Sequence, residues 1–241
     1  MCTVSFVSSG NTNFITSNRD EHISRPVSLE PKEELINGCK ITYPKDPRAG
    51  GTWFAVNARG GVAVLLNGAF EKHISTGGYA KSRGLILLEI VSNKQPIAFV
   101  QEIELENIEP FTLVLFEDKK LIEFRWDGTS KHIKELDTTQ NHIWSSATLY
   151  SPDIVKHREN LFDEFLTKHK SYEPQQIIDF HTSNNDDYEN GFIINRNTGL
   201  KTLSVTQAII EKGSLVLDYF DLSNDTKHST IISQQDRISA L

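Results

Sequence analysis

Sulfur is scarce in this sequence: its 241 residues hold two cysteines, Cys2 and Cys39, and one methionine. With no CxxC pair, neither a thiolate zinc site nor a dithiol redox pair is written into the chain. A chain of this size does not depend on a disulfide, so both cysteines are expected as reduced thiols. Long apolar runs are also missing. The longest, Gly84-Leu-Ile-Leu-Leu, is cut by Glu89 and is far short of a membrane span, so no integral membrane segment is expected. The opening Met-Cys-Thr-Val-Ser-Phe-Val turns polar at Ser8 without a basic leader, which does not fit a signal peptide. Residue 2 is not glycine, so the myristoylation pattern is absent too. A cytoplasmic location is the expectation. The net charge is -7, and no cationic run exceeds Lys119-Lys120, which leaves no field to gather nucleic acid. The eight histidines are scattered without metal-ligand spacing. Neither Gly50-Gly51 nor Gly60-Gly61 fits a phosphate-cradling pattern, so no cofactor and no metal is expected. No heptad pattern or internal repeat speaks to oligomeric state.

What the chain does contain is a series of strand pairs and helix pairs. Residues 3–8 and 13–17 read as a hairpin around Ser9-Gly10-Asn11. Residues 22–50 carry Pro26, Pro31, Pro44 and Pro47 with little periodicity, and are expected as a long loop shaping a pocket entrance. Strands are expected at 52–57 and 62–67, at 112–116 and 120–126, and more briefly at 132–136 and 142–145. Ser82 caps a helix to about residue 91, and Pro96 opens another. Pro152 starts a longer helix in which Ile154, Leu161, Phe162, Phe165 and Leu166 recur at helical spacing, and Pro174 starts a fourth. Residues 201–210 and 214–221 close the pattern around Lys212-Gly213. The remainder is polar and is expected to fray, giving one domain over residues 1–222 and a tail over 223–241. Strands and helices in blocks imply an α+β fold with two mostly antiparallel sheets face to face, covered by helices.

Cys2 is the residue with the clearest chemical potential. Removal of Met1 would leave a thiol and a free α-amine on one residue. An α-amine titrates near neutrality, at a pKa of about 7.7–8.0, and can accept the thiol proton, so one residue supplies both attacker and base. Taken alone, a second residue that happens to be Cys is the blander reading.

Further residues favour the sharper one. Asn18-Arg19-Asp20-Glu21 follows the first hairpin, Gly51-Thr-Trp-Phe-Ala-Val-Asn comes next, then Gly61-Val-Ala-Val-Leu-Leu-Asn-Gly, and later Lys201-Thr-Leu-Ser-Val-Thr. In this order and spacing they resemble the NRDE family, that of transport and Golgi organisation protein 2, over about residues 2–221. The resemblance implies a four-layer αββα sandwich of the N-terminal-nucleophile hydrolase type. More distantly the layout resembles the choloylglycine hydrolase and penicillin acylase branch. That likeness implies catalytic roles for Cys2, Arg19, Asp20 and Asn67: nucleophile, cation beside the thiolate, holder of the α-amine and oxyanion donor. A second oxyanion Asn of that branch is replaced here by Trp144-Ser-Ser, so Ser145 or Ser146 is the candidate substitute. Ser17 stands where the branch has its Arg. Asn18, Glu21, His22 and Trp53 complete the set expected around a substrate, although a charged turn, a solvated loop histidine and a core aromatic are the plainer readings.

The implied activity is hydrolysis of a non-peptide C–N amide through a thioester, with a small-molecule amide as the partner. The alternative, also implied by the resemblance, is a non-catalytic carrier of a hydrophobic ligand (haem or lipid handling) or an interaction scaffold. In a carrier, Cys2 or His22 would contact the ligand.

Overall fold

The computed structural model describes residues 3–233 of the chain. Cys2 therefore lies outside the described residues. Two antiparallel sheets form the centre. The first pairs β1 (Thr3–Ser9) with β2 (Thr12–His22) and adds β10 (His142–Ser145), β11 (Leu200–Glu211), β12 (Ser214–Asp221) and β13 (Thr226–Ile231), in the order β10-β1-β2-β11-β12-β13. The second runs in chain order from β3 (Leu29–Ile36) and β4 (Cys39–Lys45) through β5 (Phe54–Asn57), β6 (Val62–Asn67), β7 (Phe111–Glu117) and β8 (Lys120–Trp126) to β9 (Lys131–Leu136).

Strand alternation divides the buried residues into three cores. Val4, Phe6 and Ile15 of the first sheet meet Val62, Val64 and Leu66 of the second between the sheets. Val7 and Phe14, on the opposite face of the first sheet, pack against α3 (Pro152–Thr167) and α4 (Pro174–Thr182) through Phe162, Phe165 and Ile177. Ala63, Leu65 and Leu113 face α1 (Arg83–Ser92) and α2 (Pro96–Glu102) through Leu87, Ile90 and Val100. Three apolar interfaces make four layers, helix–sheet–sheet–helix, as the block order of the sequence implies.

Two expectations fail. Residues 22–50 are not a loop: β3 and β4 form an edge hairpin. Its turn is Asn37-Gly38, with φ of 51° and 75°, the left-handed pair that a two-residue hairpin requires. Pro31 falls where the β3–β4 register shifts, and β3 is an edge strand, so its missing N–H disrupts no pairing. The polar tail does not fray throughout, because Thr226–Ile231 pairs with β12 as an outer strand. Its side chains are largely exposed, so no apolar alternation marks it in the sequence.

Candidate functional site

Strand β2 divides the Asn18-Arg19-Asp20-Glu21 tetrapeptide between two faces, since neighbouring side chains on a strand point oppositely. Asn18 and Asp20 turn to the face covered by helices. Asn18 Nδ2 donates to the carbonyls of His181 (2.8 Å) and Phe192 (3.1 Å). Its Oδ1 must then accept, which makes His181 Nδ1 the donor to it and leaves Nε2 to accept from Ser5 Oγ at 2.7 Å. Burial, assisted by the charge of Arg158, pushes the His181 pKa down to about 3. Asp20 accepts from Thr202 Oγ1 at 2.6 Å and from Tyr150 Oη at 3.3 Å.

Arg19 and Glu21 turn the other way and line a cavity of about 490 Å³. Trp53, which precedes β5, and Asn67, the last residue of β6, line it too, as do Asp46 and the start of α1 at Ser82, Arg83 and Gly84. Thus four of the residues singled out in the sequence meet here. The close approach of α1 depends on two glycines. A Cβ on Gly51 would lie 2.5 Å from the Gly84 carbonyl carbon, and one on Gly84 would lie 2.7 Å from the Thr52 carbonyl oxygen.

The Arg19 guanidinium is 2% exposed and lies over the Trp53 ring at 4.7 Å. Such stacking contributes about 0.5–2 kcal/mol. Asp46 is 3.7 Å from Nη2, and neither Nη1 nor Nη2 has a hydrogen-bond partner among the described residues. Burial lowers the Arg19 pKa, and the charges of Glu21 and Asp46 oppose that shift. Asp46 is committed elsewhere: it takes hydrogen bonds from Arg25 Nε at 2.8 Å and from the Arg48 and Ala49 N–H groups. Burial would raise the Asp46 carboxyl, but the Arg25 and backbone hydrogen bonds outweigh it and hold the group below the ordinary carboxylate value.

The remaining expected residues lie elsewhere. His22 is exposed and hydrogen-bonded to Ser24 at 2.7 Å, and it does not line this cavity. The strand carries it to the face opposite Glu21. Ser146 is fully buried and donates to the Asn67 carbonyl at 2.9 Å, so it braces the end of β6. Ser145 accepts from Arg158 Nε at 3.1 Å and lines a second cavity of about 810 Å³ with Leu66, Phe70, Trp144, Leu149 and Val155.

Arg158 is the residue that sequence reasoning left without a role. It is fully buried in α3 and donates to the carbonyls of Asn190 and Gly191, each at 2.7 Å, and to Thr3 Oγ1. The rings of Tyr150 and Phe192 lie 4.3 and 4.4 Å from its guanidinium carbon. A signal was present: Arg158 stands four residues after Ile154 and four before Phe162, in the apolar stripe of the helix. Among the described residues no group of three or more His, Cys, Asp or Glu is arranged to hold a metal ion. Nor is any helix long and apolar enough to cross a membrane.

Comparison with solved structures finds the same fold in amide hydrolases. A mutant of the conjugated bile acid hydrolase from Clostridium perfringens aligns with a TM-score of 0.56 at 11% identity, covering 98% of this chain and 94% of that one. A second variant of that enzyme gives the same score at 12% identity and the same coverage. The Caenorhabditis elegans ortholog of N-acylethanolamine-hydrolyzing acid amidase aligns with a TM-score of 0.60 at 9% identity, covering 86% and 92%. At such identities the likeness is one of fold, the N-terminal-nucleophile hydrolase fold. A search among curated proteins finds no match. A family model, Transport and Golgi organisation 2, matches residues 1–236. On that match, which takes in the Asn18–Glu21 strand, the Trp53 wall and Asn67, the chain belongs to the Transport and Golgi organisation 2 family.

Proposed function

We propose that the chain is an amidohydrolase in which Cys2, freed by removal of Met1, attacks a non-peptide C–N amide. The observation that carries this reading is Arg19: a buried guanidinium whose two amino nitrogens have no hydrogen-bond partner among the described residues, one residue beyond Asn18, which pairs with Thr3 at the start of β1. Cys2 directly precedes Thr3 in the sequence. A cation near a thiol favours the thiolate. In the reaction the α-amine takes the thiol proton, the C–S bond forms, and the oxyanion is held by Asn67 and a backbone N–H. The C–N bond then breaks as the α-ammonium protonates the leaving amine. Water, deprotonated by the same amine, cleaves the thioester to release the acid and restore the thiol. Asp20, fixed by Thr202 and Tyr150, steadies the α-amine. The fold shared with two kinds of amidase supports a hydrolase and leaves the substrate open.

Turnover of a panel of N-acyl amides by the wild type and by Cys2→Ala is the test. The variant should form no acyl-enzyme and show no turnover. Turnover retained in Cys2→Ala would contradict the mechanism.

The second cavity favours one other reading, a carrier for an apolar ligand, because Leu66, Phe70, Trp144, Leu149 and Val155 line it. His22 is not among the residues lining that cavity, so in this reading the apolar side chains hold the ligand. Binding of a fluorescent fatty acid that is lost in Val155→Glu, in a protein that never acylates Cys2, would favour the carrier.

A further inference from the structure

The charges around the cavity that holds Arg19 are unequally partnered. Four cations line it (Arg19, Arg25, Lys81 and Arg83) against three carboxylates (Glu21, Asp46 and Glu109). Three of the cations have close partners. Arg25 Nη2 is 2.7 Å from Asp46, Arg83 Nη2 is 3.1 Å from Glu109, and Lys81 is 2.5 Å from Glu89. Arg19 differs: among the described residues neither of its amino nitrogens is in a hydrogen bond, its ion-pair neighbour Asp46 stands off at 3.7 Å, and it is nearly excluded from solvent. Leaving a buried cation in that condition is costly unless something completes it. Trp53 Nε1, on another residue lining the cavity, is a second buried donor without a partner among the described residues.

The start of α1 opens on the same cavity. This ten-residue helix has no acidic residue in its first turn to offset the positive end of its dipole. Ser82 caps it by accepting from Leu85 N, and Ser82, Arg83 and Gly84 all line the cavity. A helix N-terminus and an unpartnered guanidinium, converging on one space, both select a negative group. A planar guanidinium stacked on an indole offers its two amino nitrogens as a fork, which matches the two oxygens of a carboxylate.

We propose that this cavity is an oxyanion subsite that receives a carboxylate carried by the substrate, with Arg19 as its principal donor and the N-terminus of α1 adding its field. The inference rests on the amidohydrolase reading for the word substrate, and it narrows the substrate class to amides bearing a carboxylate. The subsite itself is testable without turnover.

Binding of N-acetylglycine and of its neutral counterpart N-acetylethanolamine would be measured by calorimetry on the full chain carrying Cys2→Ala, so that failure of hydrolysis cannot mask the result. N-acetylglycine should bind at least about tenfold tighter, and Arg19→Gln should remove that preference. Should Arg19→Gln fail to fold, ionic strength serves on the parent protein, since the preference should shrink as salt rises. Equal binding of the two ligands, or a preference that survives Arg19→Gln, would overturn the proposal. Inorganic phosphate that displaces N-acetylglycine with higher affinity would also overturn it, by assigning the subsite to phosphate. If both amides acylate Cys2 equally in the wild type, the amidohydrolase reading stands and the carboxylate subsite falls.

Discussion

Arg19 and Arg158 are both buried, yet their surroundings assign them opposite tasks. Arg158 meets two carbonyls, two hydroxyls and two aromatic faces. Replacing it by Leu strands the Asn190 and Gly191 carbonyls, and Arg158→Leu should destabilise the fold by about 1–3 kcal/mol for each of them in urea titrations. Arg19 is stacked on Trp53 and has Asp46 no nearer than 3.7 Å, with no hydrogen bond to either amino nitrogen among the described residues, so Arg19→Leu should cost little stability or add some, while function is lost. Asn67→Ala should lower kcat by about 10²–10³-fold if its amide serves the oxyanion. His181 makes a separate prediction. Its folded pKa of about 3 lies below the ordinary 6.5, so the unfolded chain binds the proton more readily. Its contribution to stability is complete above pH 6.5 and falls as pH drops from there towards 3. The difference between wild type and His181→Gln in urea midpoint should shrink across that window. A constant difference would mean that the two states share one pKa. At this scale Arg19 was legible through its motif. Arg158 was not, because an arginine within an apolar helical stripe reveals neither the carbonyls nor the rings that complete it.

Among the elements, β2 shows most clearly how a short motif is used. Alternation sends Arg19 and Glu21 to the cavity and Asn18 and Asp20 to the helix side, where the buried Ser5–His181–Asn18 chain links β1, β2 and α4. The motif therefore spans two environments, a division that strand period gives. The helices were legible because Ser82, Pro96, Pro152 and Pro174 mark their starts in plain chemistry. The β3–β4 hairpin was obscured by its prolines, although Asn37-Gly38 signalled it, and β13 was obscured by its exposure. Gly51 and Gly84 carry the element-scale prediction. Gly84→Ala would press a methyl against the Thr52 backbone and force α1 outwards. A loss of about 1–3 kcal/mol is expected, read as a lower Tm, together with weaker ligand binding in the cavity that α1 helps to wall.

For the whole molecule, three apolar cores hold four layers in place, and the cavities open at the margins of those layers, where strands end and helices begin. This architecture was legible because the sequence presents strands and helices in blocks, each with its own period. The identity of a ligand was not, because the cavity is assembled from residues between Arg19 and Glu109 that only the fold brings together. The central claim is that Cys2 is the nucleophile. The other cysteine is an internal control: Cys39 is buried, receives a hydrogen bond from Arg59 at 2.9 Å, and has its thiol pKa raised by burial against the opposing charge of Arg59. Intact-protein mass spectrometry before and after a thiol-reactive acylating probe tests the claim most directly. The account predicts a chain lacking Met1 with a single adduct that maps to Cys2. A chain that keeps Met1, or one in which Cys2 reacts no faster than Cys39, would contradict it.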